Sequence, residues 1–239
     1  MAAVHKVIYV ARFRPDLGRE RAGRYWTEVH APMADDLDGF VGYIQNHVTG
    51  PFAAGGDEPP FDGYACEWWR DRASYDAGMK TESWQAIVDD GPEFLDTSAL
   101  PGMGVAVQES VLAGDGGPAP RGHKLVFIMR FREDIDRDEA ARHWREVHGP
   151  LALAQPGVIR YVQNLVTGAI GDGGAIGPPQ DARFDGLAEV WFEDESFWSE
   201  AYASKAWQAS YRDCFEFLDM SPGANLAAAV EQRVIKSPG

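Results

Sequence analysis

The sequence has no run of about 18 apolar residues, so no membrane-spanning helix is expected. Basic residues are scarce, with 22 Lys and Arg against 37 Asp and Glu for a net charge of −15. No acidic block exceeds a few residues. This pattern reads as a solvated surface and argues against nucleic acid as a partner. Only two cysteines occur, Cys66 and Cys214, and they form no CxxC pair. Neither a disulfide framework nor a thiol-bound metal is expected, and free thiols fit a reducing compartment. The strand pattern begins almost at Met1, leaving no room for a signal peptide. The expectation is a soluble cytoplasmic protein.

Aromatic residues are plentiful, and 45% of the chain is hydrophobic, enough for a sizeable core. Residues 5–50 aligned with residues 123–168 at a constant offset of 118 are identical at 22 of 46 positions, which marks a duplication. After a slip of five residues in a Gly- and Pro-rich loop, Phe61-Asp62-Gly63 matches Phe184-Asp185-Gly186 and Trp84-Gln85 matches Trp207-Gln208. Glu93-Phe94-Leu95-Asp96 then matches Glu216-Phe217-Leu218-Asp219. Residues 114–120 have linker composition. Two domains, 1–113 and 121–239, are therefore expected.

Periodicity changes in the same order in each copy. Strand-like runs at 7–13 and 125–131 precede helical spacing at 19–30 and 137–148, where Ala22, Trp26, Val29 and Met33 form the apolar stripe of the first copy. Asp16 and Asp134 are placed to cap these helices, and Ala31-Pro32 and Gly149-Pro150 to end them. Strands at 41–48 and 159–166, then at 63–69 and 186–192, are followed by a helical region around Trp84 or Trp207 and by closing strands at 103–111 and 225–235. The order is βαββαβ, an α+β ferredoxin-like pattern with helices on one sheet face. An apolar second face needs a partner sheet, which the other copy supplies within the chain. Two tandem ferredoxin-like domains forming an intramolecular, pseudo-dimeric α/β barrel are expected.

The segments Arg24-Tyr25-Trp26-Thr27-Glu28-Val29-His30-Ala31-Pro32 with Tyr43-Ile44-Gln45-Asn46-His47, and His143-Trp144-Arg145-Glu146-Val147-His148-Gly149-Pro150 with Tyr161-Val162-Gln163-Asn164, resemble the EthD family. That family belongs to the dimeric α/β barrel superfamily, so the resemblance implies the same barrel. It also implies a range of activities: ether-degradation proteins without a settled reaction, polyketide dehydratases, lactone isomerases and, further off, cofactor-free monooxygenases and haem proteins. Fold membership does not choose among them.

The candidate chemistry lies in side chains repeated between the copies. His30 and His148 end the first helices on the side of Trp26 and Trp144, where a helix C-terminus favours the protonated imidazole and proton transfer is feasible. Alternation puts Tyr43, Gln45 and His47 on one strand face, matched by Tyr161, Gln163 and Leu165, a set able to orient a carbonyl or hydroxyl. Asp62, Tyr64, Cys66 and Trp68 share another face, matched by Asp185, Leu187, Glu189 and Trp191. Cys66 and His47 offer a Cys–His pair in copy one, of the kind lactone isomerases of the superfamily use, and Glu189 a general base in copy two. The catalytic expectation is thus His30, Tyr43, Cys66, His148, Tyr161 and Glu189. Gln45, His47, Trp26, Trp68, Asp62, Trp144, Gln163, Asp185 and Trp191 are expected to bind substrate.

His143 and His148 are five apart, about 140° round an α-helix, so a metal pair is not expected. The long loops 51–60 and 169–183 are candidate lids. A cofactor-independent lyase or isomerase acting on a small aromatic or lactone-like metabolite is expected, by dehydration, isomerisation or cyclisation. A non-catalytic small-molecule-binding accessory protein and a cofactor-free monooxygenase are the alternatives. Exposed sheet edges leave room for further association into a homodimer.

Overall fold

The computed structural model describes residues 4–98, 103–114, 120 and 122–238. The expected linker falls largely outside them. Copy one contains β1 (His5–Ala11), α1 (Arg19–Tyr25), β2 (Phe40–Pro51), β3 (Gly63–Trp69), α2 (Arg72–Gly78), α3 (Glu82–Asp90) and β4 (Gly104–Ala113). Copy two contains β5 (His123–Met129), α4 (Arg137–His143), α5 (Gly149–Leu153), β6 (Val158–Ile170), the short β7 (Ile176–Gly177), β8 (Gly186–Phe192), α6 (Glu195–Ala203), α7 (Lys205–Phe217) and β9 (Leu226–Lys236).

Each copy has the antiparallel order 4-1-3-2 expected of βαββαβ. The two sheets join at both edges, β2 to β9 and β4 to β6, so the eight long strands close into one barrel and β7 hangs on the end of β6. Strand alternation produces three cores. Ile8, Val10, Cys66, Val105 and Val107 meet Val126, Ile128, Leu187, Ala228 and Val230 inside the barrel, and this core belongs to both copies. Outside it, each copy packs its own helices on the other sheet face, around Trp26 and Trp69 in one case and Trp144 and Phe192 in the other. Each buried large side chain stabilises by about 1.5–3 kcal/mol, and without the second copy the barrel-facing side of the first would stand exposed to water.

The first helix departs from expectation at both ends. Asp16 and Asp134 do not cap; they pair with Arg14 and Arg132. Asp136 caps α4 by accepting from the backbone of Asp138 and Glu139, while α1 starts at Gly18 without a side-chain cap. At the other end, α1 and α4 pass into π turns, Trp26–His30 and Trp144–His148, and the prolines start a further helical turn instead of ending the helix. Pro32 and Pro150 sit where no intrahelical N–H is needed. The wider turn also rotates the stripe: Trp26 is buried, but Val29 is 47% exposed.

Candidate functional site

The sheet separates the expected site residues into two groups that do not meet. Even-numbered residues of β3 point into the barrel, whereas Tyr43, Gln45 and His47 of β2 face the helices. His47 packs against Phe13 and Trp26, bonds Gln45 at 3.1 Å, and is held near pKa 4 by burial and Arg233. Cys66 lies on the opposite face beside Asn46, with burial pushing its thiol up to about 12. The expected Cys–His pair is therefore absent. Alternation groups residues within a strand but does not say which groups of neighbouring strands share a side.

Inside the barrel, Glu189 accepts from Lys124 Nζ at 2.6 Å, Tyr64 Oη at 2.9 Å and Asn164 Nδ2 at 3.1 Å, with Lys6 Nζ at 3.8 Å. Burial alone would raise its carboxyl, but the two ammonium groups and these hydrogen bonds hold it down at about 2. A carboxylate so paired is a poor proton acceptor, which corrects the expectation of a general base. Lys6 also bonds Glu109 and Asn164, and Lys124 bonds Asn46 and Gln232. Trp68 and Trp191 cover the two ammonium groups at 4.6 and 4.3 Å. These residues form a satisfied buried network.

Asp62 and Asp185 are braces as well. Each accepts from the backbone N–H two residues beyond its copy's first strand, Phe13 or Phe131, and from the Arg that opens the first helix, Arg19 or Arg137. Gln45 and Gln163 donate to the carbonyls of Trp26 and Trp144 in the π turns, at 3.0 and 2.9 Å. They donate also to the hydroxyls of Tyr43 and Tyr161, which accept from the Trp26 and Trp144 indoles at 2.9 and 3.2 Å. Each phenol oxygen thus accepts two N–H groups and keeps its own proton to give elsewhere. Burial raises both phenols, Tyr161 to about 12.

The histidines acquire partners that the sequence reading missed. Nδ1 of His30 is 2.8 Å from Asp90, and Nδ1 of His148 is 3.0 Å from Asp213. The carboxylates' other oxygens hold Tyr25 and His143. The π turn closes i to i+5, so His143 and His148, set apart by α-helical geometry, converge on one carboxylate. They take its two oxygens separately, and among the described residues no group of His, Cys, Asp or Glu is arranged to hold a metal. Burial lowers both His30 and His148 despite the carboxylates. This reverses the expectation of a protonated imidazole: the chain continues helically past each histidine, so no free helix end faces it.

His148 and Tyr161 line a cavity of about 400 Å³ between the copy-two sheet and its helices. Its walls are Leu125, Phe127 and Met129 of β5, Ala188, Val190 and Phe192 of β8, and Trp198, Trp207, Ser210 and Cys214 of α6 and α7. The loop after β2 of copy one crosses the seam and closes it with Phe52 and residues 57–60. Phe52 packs on Phe127, Trp198 and Trp207, with ring centroids 6.0–6.5 Å apart. The reciprocal loop of copy two turns through Gly173 and Gly174, both at positive φ, and Gly174 O accepts from Tyr75 in copy one. Of the expected site residues only His148 and Tyr161 reach the cavity. Asp213 was visible in the repeat, since it matches Asp90 at the offset that aligns Trp84 with Trp207.

The fold and cleft define a dimeric α/β barrel condensed into one chain. The EthD domain matches residues 14–98 and 132–221, one segment in each copy, and the chain belongs to the EthD family. Among solved structures, an anthrone oxidase-like protein is 13% identical, with a TM-score of 0.63 over 97% of this chain and 93% of its own. The "Putative monooxygenase" of Fusobacterium nucleatum subsp. nucleatum is 9% identical, with a TM-score of 0.61 over 100% and 97%. That of Lactobacillus acidophilus is 10% identical, with a TM-score of 0.52 over 98% and 96%. At such identities the likeness is one of fold. None of the curated proteins matches the sequence.

Proposed function

We propose that the chain, built of domains 1–113 and 121–239, is a cytoplasmic, cofactor-independent enzyme that moves protons on a small aromatic or lactone-like metabolite held in the copy-two cavity. The observation that carries this reading is His148, its Nδ1 committed to Asp213, in the wall of an aromatic cavity of about 400 Å³. That volume suits one flat metabolite, and such cavities are the usual seat of small-molecule sites. With Nδ1 engaged, Nε2 is the nitrogen available to the ligand. Burial keeps the imidazole neutral near pH 7, the form of a general base.

Tyr161, its oxygen already accepting from Trp144 and Gln163, has its O–H free to orient a carbonyl or a leaving hydroxyl. Abstraction of a carbon-bound proton by His148, with protonation of the departing or migrating oxygen, would serve dehydration, isomerisation or cyclisation alike. In the test, small aromatic and lactone compounds are screened by thermal shift, and turnover of the hits is compared in His148→Ala and His30→Ala. Loss of about 10²-fold or more in His148→Ala, with His30→Ala close to wild type, is expected. Unchanged turnover in both variants and in the double mutant would sink the acid–base role. Binding without turnover of any hit would favour an accessory binding protein, and oxygen uptake a monooxygenase.

A further inference from the structure

The copy-two cavity holds two polar side chains that the acid–base reading leaves unused. Gln155 stands in the turn between α5 and β6 and Ser210 on α7, and both line the cavity. They are only 7% and 4% exposed. Among the described residues neither side chain has a hydrogen-bond partner in the protein, and neither is sealed within packing. The amide and the hydroxyl thus open onto the cavity.

The local fold aims them there. His148, Ala152 and Gln155 follow one another at steps of four and three, and Trp207, Ser210 and Cys214 at steps of three and four, so each set shares one helical face. The sheet wall opposite is apolar apart from Tyr161. A flat ligand lying on that wall would present its polar edge to the helices.

The repeat shows what the fold requires at these two places. By the offsets that align the copies, Gln155 corresponds to Leu37 and Ser210 to Ile87, and both aliphatic residues are buried in the helix-side core of copy one. An aliphatic side chain therefore satisfies the architecture at either position, whereas a buried polar group without a partner lowers stability. Copy two carries that cost twice, on two elements that face one cavity. A ligand completing the hydrogen bonds would offset it.

The chemistry of the pair narrows the ligand. An amide and a hydroxyl each donate and accept, so they suit a neutral hydroxyl or carbonyl. No Lys or Arg is among the described residues lining the cavity, and the acidic ones are Asp57 and Glu58 of the copy-one loop. A carboxylate or phosphate buried there would lack a counter-charge. We propose that Gln155 and Ser210 form a specificity subsite of the copy-two cavity, binding a neutral hydroxyl or carbonyl that the ligand carries besides the group presented to His148 and Tyr161. This rests on the reading of that cavity as a small-molecule site, and it makes the substrate an uncharged, flat ring system oxygenated at two places.

The test is calorimetric titration of the full chain at pH 6 with coumarin, with umbelliferone and its isomers bearing the hydroxyl elsewhere on the benzo ring, and with a coumarin carboxylate. Gln155→Leu places the copy-one residue in copy two, and Ser210→Ala removes the hydroxyl without filling the cavity. The wild type is expected to bind at least one hydroxycoumarin about tenfold more tightly than coumarin, and the carboxylate more weakly than coumarin. Each single variant should lose part of the preference and the double variant nearly all of it, with coumarin itself bound as before. Without ligand, the melting temperature of Gln155→Leu should be unchanged or raised; a fall would mean that the amide holds the protein's own structure and would overturn the proposal. Equal binding of coumarin and every isomer by the wild type, a preference kept in the double variant, or tightest binding of the carboxylate would overturn it as well. Those outcomes leave the acid–base reading intact, and a preference lost in the double variant stands even if His148→Ala leaves turnover unchanged. Absence of binding by every compound would overturn both.

Discussion

Asp213 holds Nδ1 of His148 at 3.0 Å through Oδ2 while its Oδ1 holds His143 at 2.9 Å, so one carboxylate fixes the imidazole that faces the cavity. The same carboxylate raises the affinity of His148 for a proton, against the burial that lowers it. Asp213→Asn should reduce turnover on the order of 10²-fold by loosening the ring and weakening the base. In the wild type, activity should be flat near neutrality and fall on the acid side as His148 protonates below its ordinary value of about 6.5. In Asp213→Asn this acid limb should move to lower pH, since the favourable charge is gone. A pH–rate profile of the two proteins checks both, and a limb that stays in place would assign the titration to another group.

The closure of one copy's cavity by the other copy's loop gives a test across the seam. Phe52 lies in copy one by sequence, yet its ring meets Phe127, Trp198 and Trp207 of copy two. Phe52→Ala should therefore weaken ligand binding at His148 by about tenfold, since the aromatic contact it makes over the cavity contributes on the order of 1–2 kcal/mol. Circular dichroism should show an unchanged fold, because the residue is half-buried at a loop start. Binding equal to wild type would mean that the loop does not close over the bound molecule.

The fold was legible because duplication and periodicity are long-range signals that many residues carry. The site was less so, for three local reasons. Period-2 alternation sorts Tyr43, Gln45 and His47 from Ile44 and Asn46 but leaves open whether Cys66 shares their side, and it does not. The 100° step of an α-helix fails across Trp144–His148, where the π turn brings His143 and His148 to one carboxylate. Glu67 is inconspicuous beside Cys66 because it belongs to the alternate face of the strand, the one that packs toward the helices.

Within the barrel, divergence of the copies preserves charge balance. Lys6 and Lys124 are equivalent, but the carboxylates are Glu189, opposite Cys66 in the repeat, and Glu109, opposite Gln232. Two cations thus meet two anions, whereas glutamates at all four places would leave an excess negative charge. Glu189→Gln should destabilise the protein by about 3–5 kcal/mol by stranding a buried ammonium. Its held-down carboxyl contributes stability above the unfolded value near 4.3–4.5, and that contribution is lost as pH falls toward 2. Urea denaturation should accordingly show the wild-type advantage at pH 7 shrinking steadily below pH 4.5. If turnover at His148 per folded molecule fell instead while stability held, the network would have a catalytic part.

Glu67 has the opposite sign. Its folded value of about 8 lies above the unfolded one near 4.3–4.5, so between these limits the folded state binds the extra proton and stability declines as pH rises. Below pH 4 both states are protonated and the group adds no slope; above pH 8 the full cost is present. Glu67→Gln removes the ionisation while keeping size and a donor. The variant should match the wild type near pH 4 and exceed it by on the order of 3 kcal/mol at pH 9. Melting temperatures measured across that range in the absence of ligand would show the two curves separating as pH rises. Parallel curves would mean that the carboxyl ionises in the folded state as readily as in the unfolded chain, and that its surroundings are wet enough to solvate it.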